Sequence, residues 1–236
     1  MSSTSANRTQ QIAGEFFGTA LLVCVVVGSG IMGTALSPDA GVALLVNAVS
    51  TVLVLGLLIS VLGPVSGAHF NPVVTLVMFT RREISAAVAV QYIVAQILGA
   101  ISGAVTANVM FDLDAINIST KIRDSVGMFV GEVIATAGLV AVILIFIAQN
   151  RAHEIRLAVP AWIGSAYFFT SSTSFANPAV TVGRVFSDTF AGIAPSSVAG
   201  FIAAQVVGAF LGVLVARSFV LTEKSPSTDS PKENHV

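Results

Sequence analysis

Charge and cysteine are scarce in this chain, and their scarcity excludes several classes of protein. Only 10% of the 236 residues are Asp, Glu, Lys or Arg, whereas a soluble domain carries about 25%. The one cysteine, Cys24, cannot form a disulfide within the chain, so we expect it to serve in packing. The net charge is -1 and no basic stripe is present, which argues against nucleic acid binding. Apolar side chains make up 55% of the sequence, which indicates a chain built for lipid.

Six apolar runs are long enough, or nearly so, to cross a bilayer, which takes about 20 residues for about 30 Å of hydrocarbon. They are 12–36, 41–63, 84–108, 126–148, 156–171 and 197–220. The fifth is the shortest, and Pro160 lies near its start. Residues 1–11 form a polar N-terminal tail without the residue order of a cleaved signal, so we expect the first run to remain as a span. Residues 222–236 are polar and of mixed charge, which predicts a disordered C-terminal tail.

Two shorter apolar segments, 71–81 and 177–187, each begin with Asn-Pro. Asparagine is a good helix N-cap and proline fits the first helical turn, so each segment predicts a helix that starts inside the membrane. About ten residues at about 1.5 Å each give about 15 Å, which is half of a bilayer. Two such half-helices meeting at their N-termini would together cross the membrane once.

The Asn-Pro segments belong to an internal repeat. The matching pairs are 66–75 with 174–181, 15–23 with 132–140, and 95–100 with 204–209. Each half holds three spans, an odd number, so the second half must enter the membrane with inverted topology. We therefore predict an all-α membrane protein with six transmembrane helices and two re-entrant half-helices. Its channel domain would cover 12–221, with repeat one over 12–111 and repeat two over 126–221.

The two Asn-Pro pairs, Asn71-Pro72 and Asn177-Pro178, carry the strongest functional signal. Irregular backbone at membrane depth persists only where it is buried in protein or lines water. The pairs therefore predict a pore constriction where the two repeats meet. Their amide groups would donate hydrogen bonds to a single file of water, and the two helix starts would form a positive band, so proton transfer would be interrupted and cations repelled. Two kinked helices without a pore are the alternative.

These features together resemble the aquaporin, or major intrinsic protein, family. The resemblance covers about residues 12–221 and rests on Ser-Gly-Ala-His-Phe-Asn-Pro-Val at 66–73, Asn-Pro-Ala at 177–179, two Glu-Thr spans and two Gln-Gly spans. It implies an aquaporin-like fold, a homotetramer with one pore per subunit, and passive passage of water and small neutral solutes. We expect no catalytic residue, cofactor or metal. An ion-coupled transporter and a closed structural protein are the alternatives from other classes.

The chain departs from typical family members at the selectivity filter. Water-selective members usually have Arg directly after the second Asn-Pro-Ala, and glycerol-type members have Arg-Asp, but here Val180 is followed by threonine. By the family's spacing, the other filter positions fall on Thr51, Ser165 and Ser174. We infer a wide, uncharged, hydroxyl-rich filter that passes polyhydroxylated solutes such as arsenite or glycerol as well as water. This resembles a subgroup linked to metalloid movement. A water-selective aquaporin with an altered filter is the alternative.

Four ionisable residues receive specific expectations. Glu15 and Glu132 would be costly in a bilayer without partners, so we expect each to accept backbone N–H bonds from its half's re-entrant loop, with a proton relay as the alternative. His69 is expected to brace its loop or to face the cytoplasmic vestibule, and gating by protonation is the alternative. Arg184, one turn beyond Val180, is placed in the outer vestibule, where it restores positive potential or binds loop carbonyls or headgroups.

The lysines and arginines of the loops predict the orientation in the membrane. If both termini are cytoplasmic, the inside segments hold Arg8, Arg81, Arg82, Arg151, Arg156, Arg217, Lys224 and Lys232. The outside segments then hold only Lys121, Arg123 and Arg184. This excess predicts a multi-pass protein of the plasma (inner) membrane with both termini in the cytoplasm.

Overall fold

The structure is a computed structural model, and it describes residues 6–219. Its α-helices are α1 (Arg8–Leu36), α2 (Ala40–Ser66), α3 (Pro72–Thr80), α4 (Ala86–Met110), α5 (Val126–Ala148), α6 (Ile155–Phe169), α7 (Pro178–Gly183) and α8 (Pro195–Phe219). Short 3₁₀ turns at Ala152–Glu154 and Arg184–Phe186 precede α6 and follow α7. Residues 6–219 contain no strand, and the predicted all-α fold class is confirmed. The predicted tail at 222–236 lies outside the described residues.

Five of the helices, α1, α2, α4, α5 and α8, are long and apolar enough to span a membrane. The remaining predicted span, the fifth along the chain, corresponds to α6, whose 15 helical residues give about 22 Å, and the 3₁₀ turn before it adds about 6 Å. Large apolar side chains such as Phe17, Leu53 and Phe210 lie exposed on the outside of the bundle, as contact with lipid requires. The chain is therefore a multi-pass membrane protein.

The first helix begins earlier than the apolar pattern predicts, at Arg8 instead of residue 12. Asn7 forms a capping box with Gln10: the Asn7 side chain accepts from the Gln10 N–H at 3.0 Å, and the Gln10 side chain accepts from the Asn7 N–H at 2.8 Å. This pair satisfies donors at the helix start, so the helix extends through polar residues that were assigned to the tail.

In both halves the first and last long helices pack against each other, α1 against α4 and α5 against α8. Both pairs approach closely at glycines. A Cβ atom at Gly103 would lie 2.1 Å from the carbonyl oxygen of Ala20, and one at Gly212 would lie 2.5 Å from that of Ala137. Small residues let membrane helices come into contact, because lipid provides no hydrophobic drive between them. The matched packing agrees with an inverted repeat.

The half-helices α3 and α7 begin inside the protein, each at the proline of its Asn-Pro pair. The Asn71 side-chain oxygen accepts from the Val73 N–H at 3.0 Å, and that of Asn177 accepts from the Ala179 N–H at 2.9 Å. These bonds cap the helix starts without help from solvent. With 9 and 6 residues, both helices are too short to cross a bilayer alone.

The loops that lead into α3 and α7 follow the same backbone path. Ala68 and Phe70 have φ angles of 51° and 50°, and Ser174 and Ala176 have 51° and 48°. Residues other than glycine rarely adopt such angles, so the surrounding contacts must hold them there. The two loops thus share a conformation that their sequences alone would not favour.

A candidate pore at the repeat interface

A cavity of about 540 Å³ lies between the helices where the two repeats meet. Both halves contribute to its wall from equivalent positions. Leu22 and Leu139 lie seven residues after the buried glutamates, Val74 and Val180 lie three residues after the asparagines, and all four line the cavity. Most of the wall is apolar, so the few polar groups decide where a solute can form hydrogen bonds.

The cavity has two ends. Gly63, Pro64, Ala152, His153 and Arg156 of the wall lie near the start of α6 and the end of α2, and we call this end of the cavity the first mouth. Thr51, Tyr167, Ser174, Val180 and Arg184 lie toward the end of α6 and around α7, and we call this end the second mouth. Because an α-helix rises about 1.5 Å per residue, positions 156 and 167 of α6 lie about 16 Å apart along its axis. The cavity therefore extends through much of the bundle.

Asn71 and Asn177 meet between the two mouths. The Asn71 amide nitrogen donates to the Ala176 carbonyl at 2.7 Å, and the Asn177 amide nitrogen donates to the Phe70 carbonyl at 2.8 Å. Each side-chain oxygen is used in capping its own helix, and each amide has a second N–H without a protein partner in the part of the chain that the structure describes. Both residues line the cavity, so toward water there they can only donate.

Glu15 holds the loop of the first half. Its carboxylate accepts from the Ser66 hydroxyl, the backbone N–H groups of His69 and Phe70, and the Gln96 amide, at 2.7 to 2.9 Å. The residue is fully buried and does not line the cavity. This geometry favours a brace over a proton relay.

Glu132 holds the loop of the second half in the same manner. Its carboxylate accepts from the backbone N–H groups of Phe175 and Ala176 at 2.8 Å and from the Gln205 amide at 2.6 Å. It is also fully buried and absent from the cavity wall. A carboxylate so enclosed stays in place because its donors would otherwise be left unpaired.

His69 contacts side chains of α3 and α4 and also lines the cavity. Its Nδ1 lies 3.1 Å from the Thr75 hydroxyl, and its ring packs edge-on against Tyr92 with 5.4 Å between ring centroids. In the second half, the equivalent position two residues before the asparagine is Phe175.

The structure corrects one of the predicted filter positions. Ser165 lies exposed on the outer face of α6, donates to the Ala161 carbonyl at 2.9 Å, and does not line the cavity. Two residues along a helix turn a side chain by about 200°, so the cavity is met by Tyr167 instead. The Tyr167 hydroxyl donates to the Thr51 hydroxyl at 3.2 Å and links α6 to α2. A tyrosine within an apolar span, with a polar group that needs a partner, was the available signal.

Ser174 and Val180 lie beside this pair in the second mouth. The Ser174 hydroxyl is buried and has no hydrogen-bond partner among residues 6–219. Val180 presents only methyl groups. The second mouth therefore has an apolar side at Val180 and hydroxyl groups beside it, of which the Ser174 hydroxyl has no hydrogen-bond partner among residues 6–219.

Arg184 is also part of the second mouth and is only 2% exposed. Its Nε donates to the Ala191 carbonyl, and its guanidinium lies 3.4 Å from the centroid of the Phe175 ring. The arginine is thus held by a carbonyl and an aromatic face rather than by a carboxylate.

Two further cations lie close to Arg184, in the segment between α4 and α5. The Lys121 ammonium donates to the Phe190 carbonyl at 2.8 Å, and the Arg123 Nε donates to the Gly192 carbonyl at 2.9 Å. Burial and the two neighbouring guanidinium groups lower the pKa of Lys121 to about 8, and burial lowers the pKa of Arg123 to about 10. Three consecutive carbonyls, 190–192, therefore each accept from a different cation.

Comparison with known proteins agrees with this architecture. The family model of the major intrinsic protein matches residues 2–176. Aquaglyceroporin AqpS of Rhizobium meliloti (strain 1021) is 42% identical over 231 residues, covering 93% of this chain and 97% of the relative. Aquaporin-5 of Ovis aries is 37% identical over 100 residues, covering 42% of this chain and 36% of the relative.

The fold also matches a solved structure. The X-ray structure of the aquaglyceroporin from Plasmodium falciparum aligns with a TM-score of 0.69 and 21% sequence identity, covering 90% of this chain and 96% of that chain. At this identity the likeness is one of fold. With the family model and the long match to AqpS, it gives the identification: the chain belongs to the major intrinsic protein family and is a membrane channel for small solutes, not an enzyme.

Proposed function

We propose that this channel passes small neutral polyhydroxylated solutes, such as glycerol or arsenite, together with water, passively down their gradients. The observation that carries the proposal is Val180, which follows the second Asn-Pro-Ala and lines the second mouth with methyl groups. The long match to a protein named an aquaglyceroporin supports it.

The chemistry of the second mouth suits a solute with several hydroxyl groups. Such a solute must give up hydrogen bonds to water when it enters, and an unpaired polar group costs about 1–3 kcal/mol. The free hydroxyl of Ser174 and the linked hydroxyls of Thr51 and Tyr167 can replace some of these bonds. The less polar side of the solute then lies against Val180.

A water-selective channel with an altered filter is the second candidate. It is favoured by Tyr167, which is much larger than the serine predicted for this wall and uses its hydroxyl to bind Thr51. Both effects narrow the mouth and leave fewer groups for a solute larger than water.

Flux into proteoliposomes separates the two candidates. We expect glycerol and arsenite to enter vesicles containing the channel faster than empty vesicles. Val180→Arg should fill the second mouth and reduce the flux of both solutes more than that of water. Val180→Ile keeps an uncharged, apolar side chain at this position, so it serves as the matched control and should reduce both fluxes far less than Val180→Arg. Fast water flux with no glycerol or arsenite flux would instead support the water-selective candidate.

We further propose a channel domain over 12–221, a homotetrameric assembly, and cytoplasmic termini in the plasma (inner) membrane. The excess of basic residues in the segments assigned to the cytoplasm supports this orientation. A reporter fused after Val236 that is active only in the cytoplasm tests the orientation. Native mass measurement in detergent tests the assembly, and a monomeric mass would contradict it.

A further inference from the structure

The second mouth contains the guanidinium group of Arg184. Arg184 forms no ion pair with any Asp or Glu of residues 6–219. Its neighbours Ala191 and Phe175 supply a carbonyl oxygen and a ring face, which carry no net charge. A buried cation without a counter-ion keeps its electric field, and the nearby Lys121 and Arg123 add to that field.

The hydrogen-bonding capacity of Arg184 is also mostly unused. Of its five N–H donors, the one on Nε is bonded to Ala191, and the four on the two amino groups have no acceptor within residues 6–219. The buried polar atoms that lack a partner include the Ser174 hydroxyl but neither amino group of Arg184. Since Arg184 lines the cavity, its amino groups open onto the path of the solute.

The equivalent position in the first half of the repeat carries no charge. The equivalent position of the first half is Met78, because each residue lies seven positions after its asparagine and both line the cavity. The same place in the architecture therefore accepts an uncharged side chain of similar length. The Ala191 carbonyl needs a hydrogen-bond donor but not a full charge, so the charge of Arg184 is available for a second role.

We propose that Arg184 is a specificity-determining residue that excludes cations, including protons carried as hydronium, and that its amino groups donate to oxygen atoms of the passing solute. A unit charge about 8 Å away, at an effective dielectric constant of about 20, lowers cation occupancy by roughly 30-fold. Arg184 comes from the helical turn after Val180, so the mouth stays wide at Val180 and charged one turn further along. This inference concerns the ions that are excluded, so it holds whether the filter passes glycerol or only water.

The test is the ratio of cation to water permeability in proteoliposomes. Arg184→Met installs the side chain found at the equivalent position of the first half. We expect proton and potassium leak, divided by the water permeability of the same vesicles, to rise at least tenfold. Arg217→Met, on the exposed last turn of α8, is the control and should leave the ratio unchanged.

Three further variants keep the test decisive. Arg184→Gln is neutral but retains a donor for the Ala191 carbonyl, so it replaces Arg184→Met if that variant does not fold. Arg184→Lys keeps the charge and should keep most of the exclusion. Arg184→Met combined with Val180→Arg should restore exclusion while lowering glycerol flux. Folded Arg184→Met or Arg184→Gln channels that leak no more protons or potassium than the parent would overturn the inference, whatever the glycerol result.

Discussion

In the first half of the chain, Glu15 accepts hydrogen bonds from its re-entrant loop and from Gln96, and in the second half Glu132 does the same with Gln205. The two halves differ along the wall of the cavity. His69 corresponds to Phe175, and Met78 corresponds to Arg184. The two halves therefore share the glutamates that hold their loops and differ in side chains that line the cavity.

The difference shows which positions the fold constrains. A buried carboxylate with several donors cannot be exchanged, because every donor would lose its partner in a medium that supplies no other. A residue that lines the cavity has only to fit the available space, so its side chain can be charged, aromatic or a thioether. The repeat is thus symmetric where the glutamates hold the loops and asymmetric along the cavity wall.

Removal of a brace should have the largest effect. Glu15→Leu strands donors from Ser66, His69, Phe70 and Gln96, at about 1–3 kcal/mol each, so we expect little folded protein to be recovered. Glu132→Leu should be nearly as severe. Monodispersity and thermal unfolding in detergent measure both. If either variant kept the parent's stability, the two glutamates would not be equivalent braces.

Crowding of the matched helix pairs should come next. Gly103→Ala places a Cβ 2.1 Å from a carbonyl oxygen and Gly212→Ala places one 2.5 Å from another, so each should cost about 1–3 kcal/mol, with Gly103→Ala the worse. Gly63→Ala is the control, because nothing lies within 4 Å of its added Cβ. Thermal unfolding of the three variants gives the order. A reversed order would show that α5 and α8 pack more tightly than α1 and α4.

A smaller effect is expected at the second mouth. Tyr167→Phe removes the bond to Thr51, which should cost about 0.5–1.5 kcal/mol of stability, and it frees the Thr51 hydroxyl for solute. The ratio of glycerol to water permeability should rise by roughly two- to fivefold, since a hydrogen bond of about 0.5–1 kcal/mol becomes available. Ser165→Ala, on the outer face of α6, should change neither quantity. A larger effect of Ser165→Ala than of Tyr167→Phe would restore Ser165 to the filter.

The smallest effect concerns pH. Lys121, whose pKa is about 8, loses most of its positive charge as the pH rises from 7 to 9, and Arg123, whose pKa is about 10, loses much less. Exclusion of potassium should therefore weaken by about twofold over this range, because an exposed charge is partly screened. In Lys121→Gln, potassium exclusion should not change between pH 7 and 9. Potassium flux measured at each pH tests this expectation. The Asp188 carboxylate nearby is bound by Thr120, and an unchanged pH dependence in Lys121→Gln would point to a group other than Lys121.

The same group has a consequence for stability. The folded protein binds the Lys121 proton less tightly than the unfolded chain does, so protonation favours unfolding. That cost is present below about pH 8 and disappears as the pH rises above the ordinary lysine pKa of about 10.4. Stability should therefore rise slightly with pH in this range and remain flat in Lys121→Gln.

Much of the fold is readable from the sequence because its signals are local. An Asn-Pro pair fixes the start of α3 or α7 within one residue, since capping and the proline ring act on the adjacent turn. The apolar pattern alone predicts a later start of α1 than the structure shows, because the capping box of Asn7 and Gln10 extends the helix through polar residues.

The site is less readable because it depends on rotation and on distant contacts. In an apolar span such as α6, hydropathy does not distinguish the faces of the helix, so counting back from Asn177 selected Ser165 instead of Tyr167. The hydrogen bond from Arg123 to the Gly192 carbonyl joins residues 69 positions apart, and no local sequence pattern predicts it. This bond forms only when the segment between α4 and α5 packs against the segment between α7 and α8.

The crossed bonds of Asn71 and Asn177 also bear on how the channel is made. While the chain is being synthesised, Asn71 reaches the bilayer before the carbonyl of Ala176, which lies 105 residues later. The first re-entrant segment therefore stays incomplete until the second has entered from the opposite face. Neither asparagine can therefore form its cross-repeat hydrogen bond until both re-entrant segments are in place.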